Sequence, residues 1–199
     1  MEDVTKKEME AVLALFKDFS TDYNANSLSK VLNITSMGTL KILKRLEKQG
    51  ILRSKQLGKA VFYTIDFKNS YAKTYLKFIL QKEAEQSGPK IGRWIVELRK
   101  FQPVAEMGIL FGSVLKKEEF NDVDLLLIIK KQQNRKVNSL LKDISGLSTK
   151  HIHTIKQTRA DLKENLNAKD KVLLSIVRTG VILFGYDKII EVIESVAYR

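Results

Sequence analysis

The chain has 199 residues, 44% of them hydrophobic and 29% charged, with no cysteine and a net charge of +12. This is an ordinary globular composition with room for one large core or two modest ones. The missing cysteine excludes disulfides, thiol catalysis and thiolate zinc sites. No apolar run nears the roughly 20 residues of a bilayer span, and Met1-Glu2-Asp3-Val4-Thr5-Lys6-Lys7-Glu8 lacks the basic start and apolar core of a secretory signal. The expectation is a cytoplasmic protein with no membrane association. Its positive charge favours an anionic partner, most simply nucleic acid; the plainer alternative is a generally lysine-rich surface.

Lys6 to Phe16 predicts an amphipathic helix, with Met9, Val12, Leu13 and Phe16 at helical spacing. The polar segment Thr21 to Asn26 reads as a turn, and Ser27 to Leu32 as a short helix. Asn33-Ile34-Thr35-Ser36 is a tight connection in which either hydroxyl caps the next helix. That helix extends to about Gln49 and stops at Gly50. Met37, Leu40, Leu43 and Leu46 form its apolar stripe, and Lys41, Lys44, Arg45 and Lys48 take much of the remainder. Two strands follow, Ile51 to Ser54 and Ala60 to Ile65, joined through Gln56-Leu57-Gly58-Lys59. From Thr35 to Ala60 the basic residues are Lys41, Lys44, Arg45, Lys48, Arg53, Lys55 and Lys59, against Glu47 alone.

Three helices and then a β-hairpin is the winged helix-turn-helix order. Ser27-Leu28-Ser29-Lys30-Val31-Leu32-Asn33-Ile34-Thr35, followed by the run from Leu40 to Leu52, resembles bacterial and archaeal transcriptional regulators of that fold. The resemblance covers most of residues 1–68 and implies binding to double-stranded DNA. A recognition helix presents its N-terminal residues to base edges. Here those are Thr35, Ser36 and Thr39, with Lys41 and Arg45 a turn later and Lys44 and Lys48 beyond. Lys55 and Lys59 on the wing would meet phosphates, which position the protein without reading sequence. The alternative is a winged domain that binds only protein.

Tyr71 to Glu85 predicts a helix, and Gln86-Ser87-Gly88-Pro89 breaks it. Residues 69–88 thus read as a linker helix, which either makes a homodimer contact or lies on its own domain. Ile91 to Lys100 is a further amphipathic helix, with Ile91, Trp94, Ile95 and Leu98 as its apolar stripe. Residues 89–199 form the second domain. Ala105 to Phe111 and Val123 to Ile129 read as strands, the latter apolar enough to be covered on both faces. Lys136 to Ile144 is a helix, His151 to Lys156 a strand, and Asp161 to Leu166 a short helical piece. Asp170 to Thr179 is a helix closed by Gly180. The strand Val181 to Phe184 and a last helix, Asp187 to Val196, end the chain.

The telling segment lies between the first two of these strands. Phe111-Gly112-Ser113 ends one, and Asp122 and Asp124 open the next. Residues two apart on a strand share a face, so both carboxylates project beside a glycine turn able to admit phosphate. Phe111-Gly112-Ser113 with Asp122-Val123-Asp124-Leu125-Leu126 resembles the nucleotidyltransferase superfamily that includes polymerase β-like and minimal nucleotidyltransferases. Ile176 to Gly185 resembles the closing segment of the minimal members. The resemblance spans residues 90–190. It implies that Gly112 and Ser113 hold a triphosphate, with Lys116 and Lys117 adding charge, and that Asp122 and Asp124 ligate magnesium or manganese for phosphoryl transfer.

The chain departs from that family in three ways. Ser113 and Asp122 stand closer in sequence than is usual, and Leu115-Lys116-Lys117 replaces a frequent Ala-Arg-Gly. Most seriously, the strand expected to carry a third carboxylate reads Lys150-His151-Ile152-His153-Thr154-Ile155-Lys156. His153 stands about where that acid belongs and is a weak catalytic candidate, as base or metal ligand. His151 and His153 alternate on one face, as a metal pair or as polar surface.

The fold class expected is therefore two-domain α+β: an N-terminal winged helix-turn-helix and a C-terminal α/β nucleotidyltransferase-like mixed sheet with helices. The leading expectation is a DNA-binding transcriptional regulator whose second domain senses a nucleoside triphosphate or a partner protein and is catalytically weakened. An active metal-dependent nucleotidyltransferase acting on a protein, RNA or small-molecule hydroxyl is the alternative. An antitoxin-like protein of a toxin pair is the weaker one. A homodimer follows only from the habit of regulators to read paired half-sites.

Overall fold

The computed structural model describes residues 4–117, 119–146, 148 and 150–197. Residues 1–3, where the N-terminal signal reading began, and 198–199, the end of the second predicted domain, lie outside them. The chain is mixed α+β with two sheets and divides into two compact units, Met1–Ile79 and Leu80–Arg199. Among the described residues no helix is long and apolar enough to cross a membrane.

The first unit begins with α1 (Lys6–Lys17), opened by a capping box in which Thr5 and Glu8 satisfy each other's backbone amides. A second box, Asn24 with Ser27, opens α2 (Ala25–Leu32). Asn33 ends α2 in the left-handed region at φ 51°, a conformation asparagine tolerates better than most residues. Thr35 then caps α3 (Ser36–Lys48) by accepting from the Gly38 amide. Gly50, at φ 72°, turns the chain out of α3, and its carbonyl accepts from Asn69 Nδ2 at 2.8 Å. The hairpin of β2 (Leu52–Leu57) and β3 (Ala60–Ile65) follows.

A two-residue strand, β1 (Tyr23–Asn24), pairs with the other edge of β3, giving the order β1-β3-β2. It occupies part of the segment read above as a turn. Tyr23 is anchored there by its hydroxyl, which donates to Asp18 Oδ2 at 2.7 Å. Val12, Phe16, Leu28, Leu43, Leu46, Ile51, Ile65 and Leu76 are buried. Met37, read above as part of the α3 apolar stripe, is 64% exposed, and Thr39 is fully buried instead. The inward face of α3 is therefore Thr39, Leu43 and Leu46, and Met37 projects to solvent.

The division between the units falls within α4 (Ser70–Glu85). In the second unit, α5 (Gly88–Leu98) carries Pro89 in its first turn, where proline's missing amide costs no hydrogen bond. A short 3₁₀ segment, Arg99–Phe101, extends it. The sheet has the order β6-β5-β4-β7. Here β4 (Met107–Phe111) runs antiparallel to β5 (Asp122–Ile128) and to β7 (Val181–Phe184). β5 and β6 (His151–Gln157) are parallel, so the chain must cross over between them, which it does through α6 (Asn134–Gly146). α7 (Arg159–Asn167), α8 (Lys171–Thr179) and α9 (Tyr186–Ala197) complete the unit.

Val123, Leu125 and Leu127 of β5 join a core cluster with Ile95 and Leu98 of α5 and Val137 and Ile144 of α6. Leu126 and Ile128, which alternate with them, are equally buried. Both faces of β5 are thus covered, as its continuous apolar run predicts. Its first residues are the exception: Asp122 and Asp124 are only half-buried.

Candidate functional site

Two groups of residues were predicted to carry function, one in each unit. In the first unit they lie on α3 and the β2–β3 hairpin. Lys41, Lys44 and Lys48 are exposed, and with Met37 they recur at intervals of four, three and four residues, which places them on one helix face. Arg53, Lys55 and Lys59 are exposed on the hairpin. Glu47, the only acid between Thr35 and Ala60, is half-buried. Lys44 also borders an open cleft of about 430 Å³ lined by Asn24, Asn26, Leu40, Val61 and Tyr63.

Three of the predicted base-contacting residues have internal duties. Thr39 is fully buried, and its hydroxyl donates to the Thr35 carbonyl at 3.1 Å; it faces the core, which corrects its reading as a groove residue. A threonine can be buried because this bond to the preceding turn satisfies its one polar atom. Ser36 Oγ donates to Asn26 Oδ1 at 3.1 Å and lies 3.2 Å from Ser29 Oγ, tying α3 to α2. Arg45 is paired with the buried carboxylate of Glu8, so its charge is partly neutralised within the unit. Thr35 remains exposed but spends an oxygen lone pair on the Gly38 amide.

The same ion pair bears on a neighbouring tyrosine. Burial, helped by the nearby Glu8 carboxylate, pushes the Tyr75 hydroxyl up to about 12, with Arg45 pulling the other way.

In the second unit, Gly112, Asp122, Asp124 and His153 meet at one end of the sheet. β4 ends at Phe111, level with Asp124. Gly112 then turns away at φ 85°, and a methyl group there would overlap Asp124 Oδ2. Glycine is required twice over, by its backbone angle and by the closeness of the carboxylate. Ser113 opens a 3₁₀ turn, Ser113–Leu115, which leads to exposed Lys116 and Lys117. On the other side of β5, parallel pairing sets His151 level with Asp122 and His153 level with Asp124.

The His153 ring stands between the two acids. Its Nε2 lies 3.9 Å from Asp122 Oδ1 and its Nδ1 3.9 Å from Asp124 Oδ1. The three side chains are 45%, 28% and 62% exposed for Asp122, Asp124 and His153, so the site is open to solvent. The His151 ring follows at 6.0 Å from that of His153. Two different ring nitrogens face two different carboxylates, a bridging arrangement and not one converging on a single point. Among the described residues no group of three His, Asp or Glu side chains is disposed to hold a metal ion.

The two acids that flank β6 in sequence, Asp143 and Asp161, are placed on helices. Asp143 lies on α6. Asp161 stands in the first turn of α7 as the capping-box partner of Thr158, whose backbone and hydroxyl hydrogen bonds hold its carboxyl below the usual range. The sequence reading missed a basic and aromatic cluster beside the site. Lys90 and Lys150 lie 4.9 and 5.3 Å from the centre of the Phe120 ring, and Trp94 meets that ring edge-on at 6.3 Å. Lys90 also donates to the Lys117 carbonyl. The signals available in the sequence are Phe120, two residues before Asp122, and Lys150, directly before His151. No protein-family model, curated protein or solved structure matches the chain.

Proposed function

We propose that this protein is a DNA-binding regulator: a winged helix-turn-helix unit joined to a nucleotidyltransferase-like unit that senses a nucleotide or a partner and is catalytically weakened. The observation that carries the DNA reading is the outer face of α3. Lys41, Lys44 and Lys48 are exposed along one line, with Arg53, Lys55 and Lys59 on the hairpin and no exposed acid among them. Such a face suits a duplex, because a helix fits the major groove and cations on the flanking hairpin meet the phosphates. Binding of the full chain to duplex DNA, titrated from 50 to 200 mM salt, tests it. Each lysine that neutralises a phosphate contributes about 0.9 to the slope of log K against log salt. Replacing Lys41, Lys44 and Lys48 by glutamine should lower that slope by roughly three. An unchanged slope would refute the assignment.

For the second unit the donor set is what speaks against magnesium catalysis. Magnesium takes oxygen ligands in a near-ideal octahedron. Asp122 and Asp124 supply two carboxylates, but the third side chain between them offers imidazole nitrogen, which suits later transition metals. The residues present do not fit a two-magnesium centre, and no phosphoryl-transfer step is assigned to them. What supports nucleotide recognition is the positive charge of lysines 90, 116, 117 and 150 in the segments around the Gly112 turn. The competing reading, a working nucleotidyltransferase, predicts labelled product from radioactive triphosphates, magnesium or manganese and cell lysate. Sensing without turnover predicts none. Labelling abolished by Asp122→Asn with Asp124→Asn would restore the enzyme reading.

A further inference from the structure

Building on the reading of the first unit as a DNA-binding module, we propose that Met37 is its specificity-determining residue and reads the C5-methyl group of a thymine in the major groove. The first turns of α3 offer few side chains to a base edge. Thr35 accepts from the Gly38 amide, and Ser36 is held by Asn26 and Ser29. Gly38 has no side chain, and Thr39 is buried with its hydroxyl on the Thr35 carbonyl. Met37 is left projecting outward, 64% exposed, with Lys41 one turn later on the same face.

The chemistry of that position is apolar within a cationic line. Its neighbours along the face are Lys41, Lys44 and Lys48, and lysine is depleted from the cores of protein interfaces. A polyanion satisfies the lysines, and the apolar group that a duplex displays in its major groove is the thymine methyl. Methionine, unbranched and polarisable, adapts its shape to such a contact. Met37 thus supplies discrimination while the lysines supply sequence-independent affinity.

Selection of bound duplexes from a random library with the full chain provides the DNA for the test. The wild-type chain should enrich thymine at a defined position, and replacing that thymine by deoxyuridine removes only the methyl group. Loss of one buried methyl contact lowers affinity about four-fold. Met37→Ala should cost a similar factor on thymine DNA and abolish the thymine-to-uracil difference, leaving the salt slope unchanged. Equal binding of thymine and uracil duplexes by the wild-type chain overturns the proposal, as does discrimination that survives in Met37→Ala. If no duplex binds in a salt-dependent way, the DNA-binding reading fails as well. A normal slope with a thymine-to-uracil ratio of one overturns the Met37 assignment alone.

Discussion

The outer face of α3 and the end of the β5–β6 pair relate differently to the folds that present them. Lys41, Lys44 and Lys48 stand on a helix whose opposite side, Thr39, Leu43 and Leu46, is already buried. Their charges are additions to a finished structure. At the sheet end, Gly112 and Asp124 interlock, and the strand that begins with Asp122 continues as the core of its unit. Residues there serve fold and site at once. Substitutions on the first surface should therefore leave stability nearly unchanged, whereas those at the second should not.

The sharpest test of this contrast is Gly112→Ala. It forces a positive φ on alanine and drives a methyl into the Asp124 carboxylate. We expect a loss of about 3 kcal/mol or more in chemical denaturation of the full chain. A loss below about 1 kcal/mol would mean that the turn is not bound to the carboxylate. Glu8→Ala comes next. Glu8 is buried, accepts from the Thr5 amide at 2.9 Å and pairs with Arg45. Removing a cap and half of an ion pair should cost about 1–3 kcal/mol, tempered by the partial exposure of Arg45.

A smaller effect is set by pH. The Tyr75 hydroxyl, ordinarily near 10, is raised to about 12 by burial and by Glu8. A raised pKa means that the unfolded chain releases the proton first. The contribution is therefore complete below pH 10 and lost as pH rises from about 10 to about 12. Tyr75→Phe should flatten that part of the stability curve, followed by denaturation midpoints across the window; an identical alkaline decline would assign it to other groups. The smallest expected effect is the one on which the comparison turns. Lys41→Gln, Lys44→Gln and Lys48→Gln together should shift stability by no more than about 0.5 kcal/mol per site while reducing the salt slope of DNA binding. A larger loss of stability would show that this face is not separable from its fold.

Much of this architecture is legible in the sequence because it is written in local periodicity and punctuation. The Ala60–Ile65 and Val181–Phe184 strands occur where alternation and apolar runs place them, and Gly50 and Gly180 follow their helices. What escaped is tertiary. β1 has two residues, and only its pairing with Tyr63 and Phe62 makes it a strand. Thr39 reads as a polar position, yet it shares the inward side of α3 with Leu43 and Leu46, where its hydroxyl bond to the Thr35 carbonyl lets it be buried, while Met37, nine residues before Leu46, falls on the opposite side. Arg45 reads as one more basic residue until Glu8, far away in sequence, is found beneath it.

At the second site the donors were legible but their spatial relation was not. Asp122 and Asp124 share a strand face by simple alternation, whereas the station of His153 depends on the register between two strands separated by a crossover helix.

That register has a consequence for how this surface can change over generations. The backbone at position 153 already delivers its side chain level with Asp124 and between the two acids, so the chain lies one substitution from a trio of oxygen donors. His153→Asp would crowd three carboxylates onto one solvent-open edge, and their mutual repulsion would await a cation to relieve it. The melting temperature of that variant should then climb with added magnesium, while the parent protein stays indifferent to it. In mutational terms, a pair and a trio of carboxylates are near neighbours here, separated by a side chain and not by a fold.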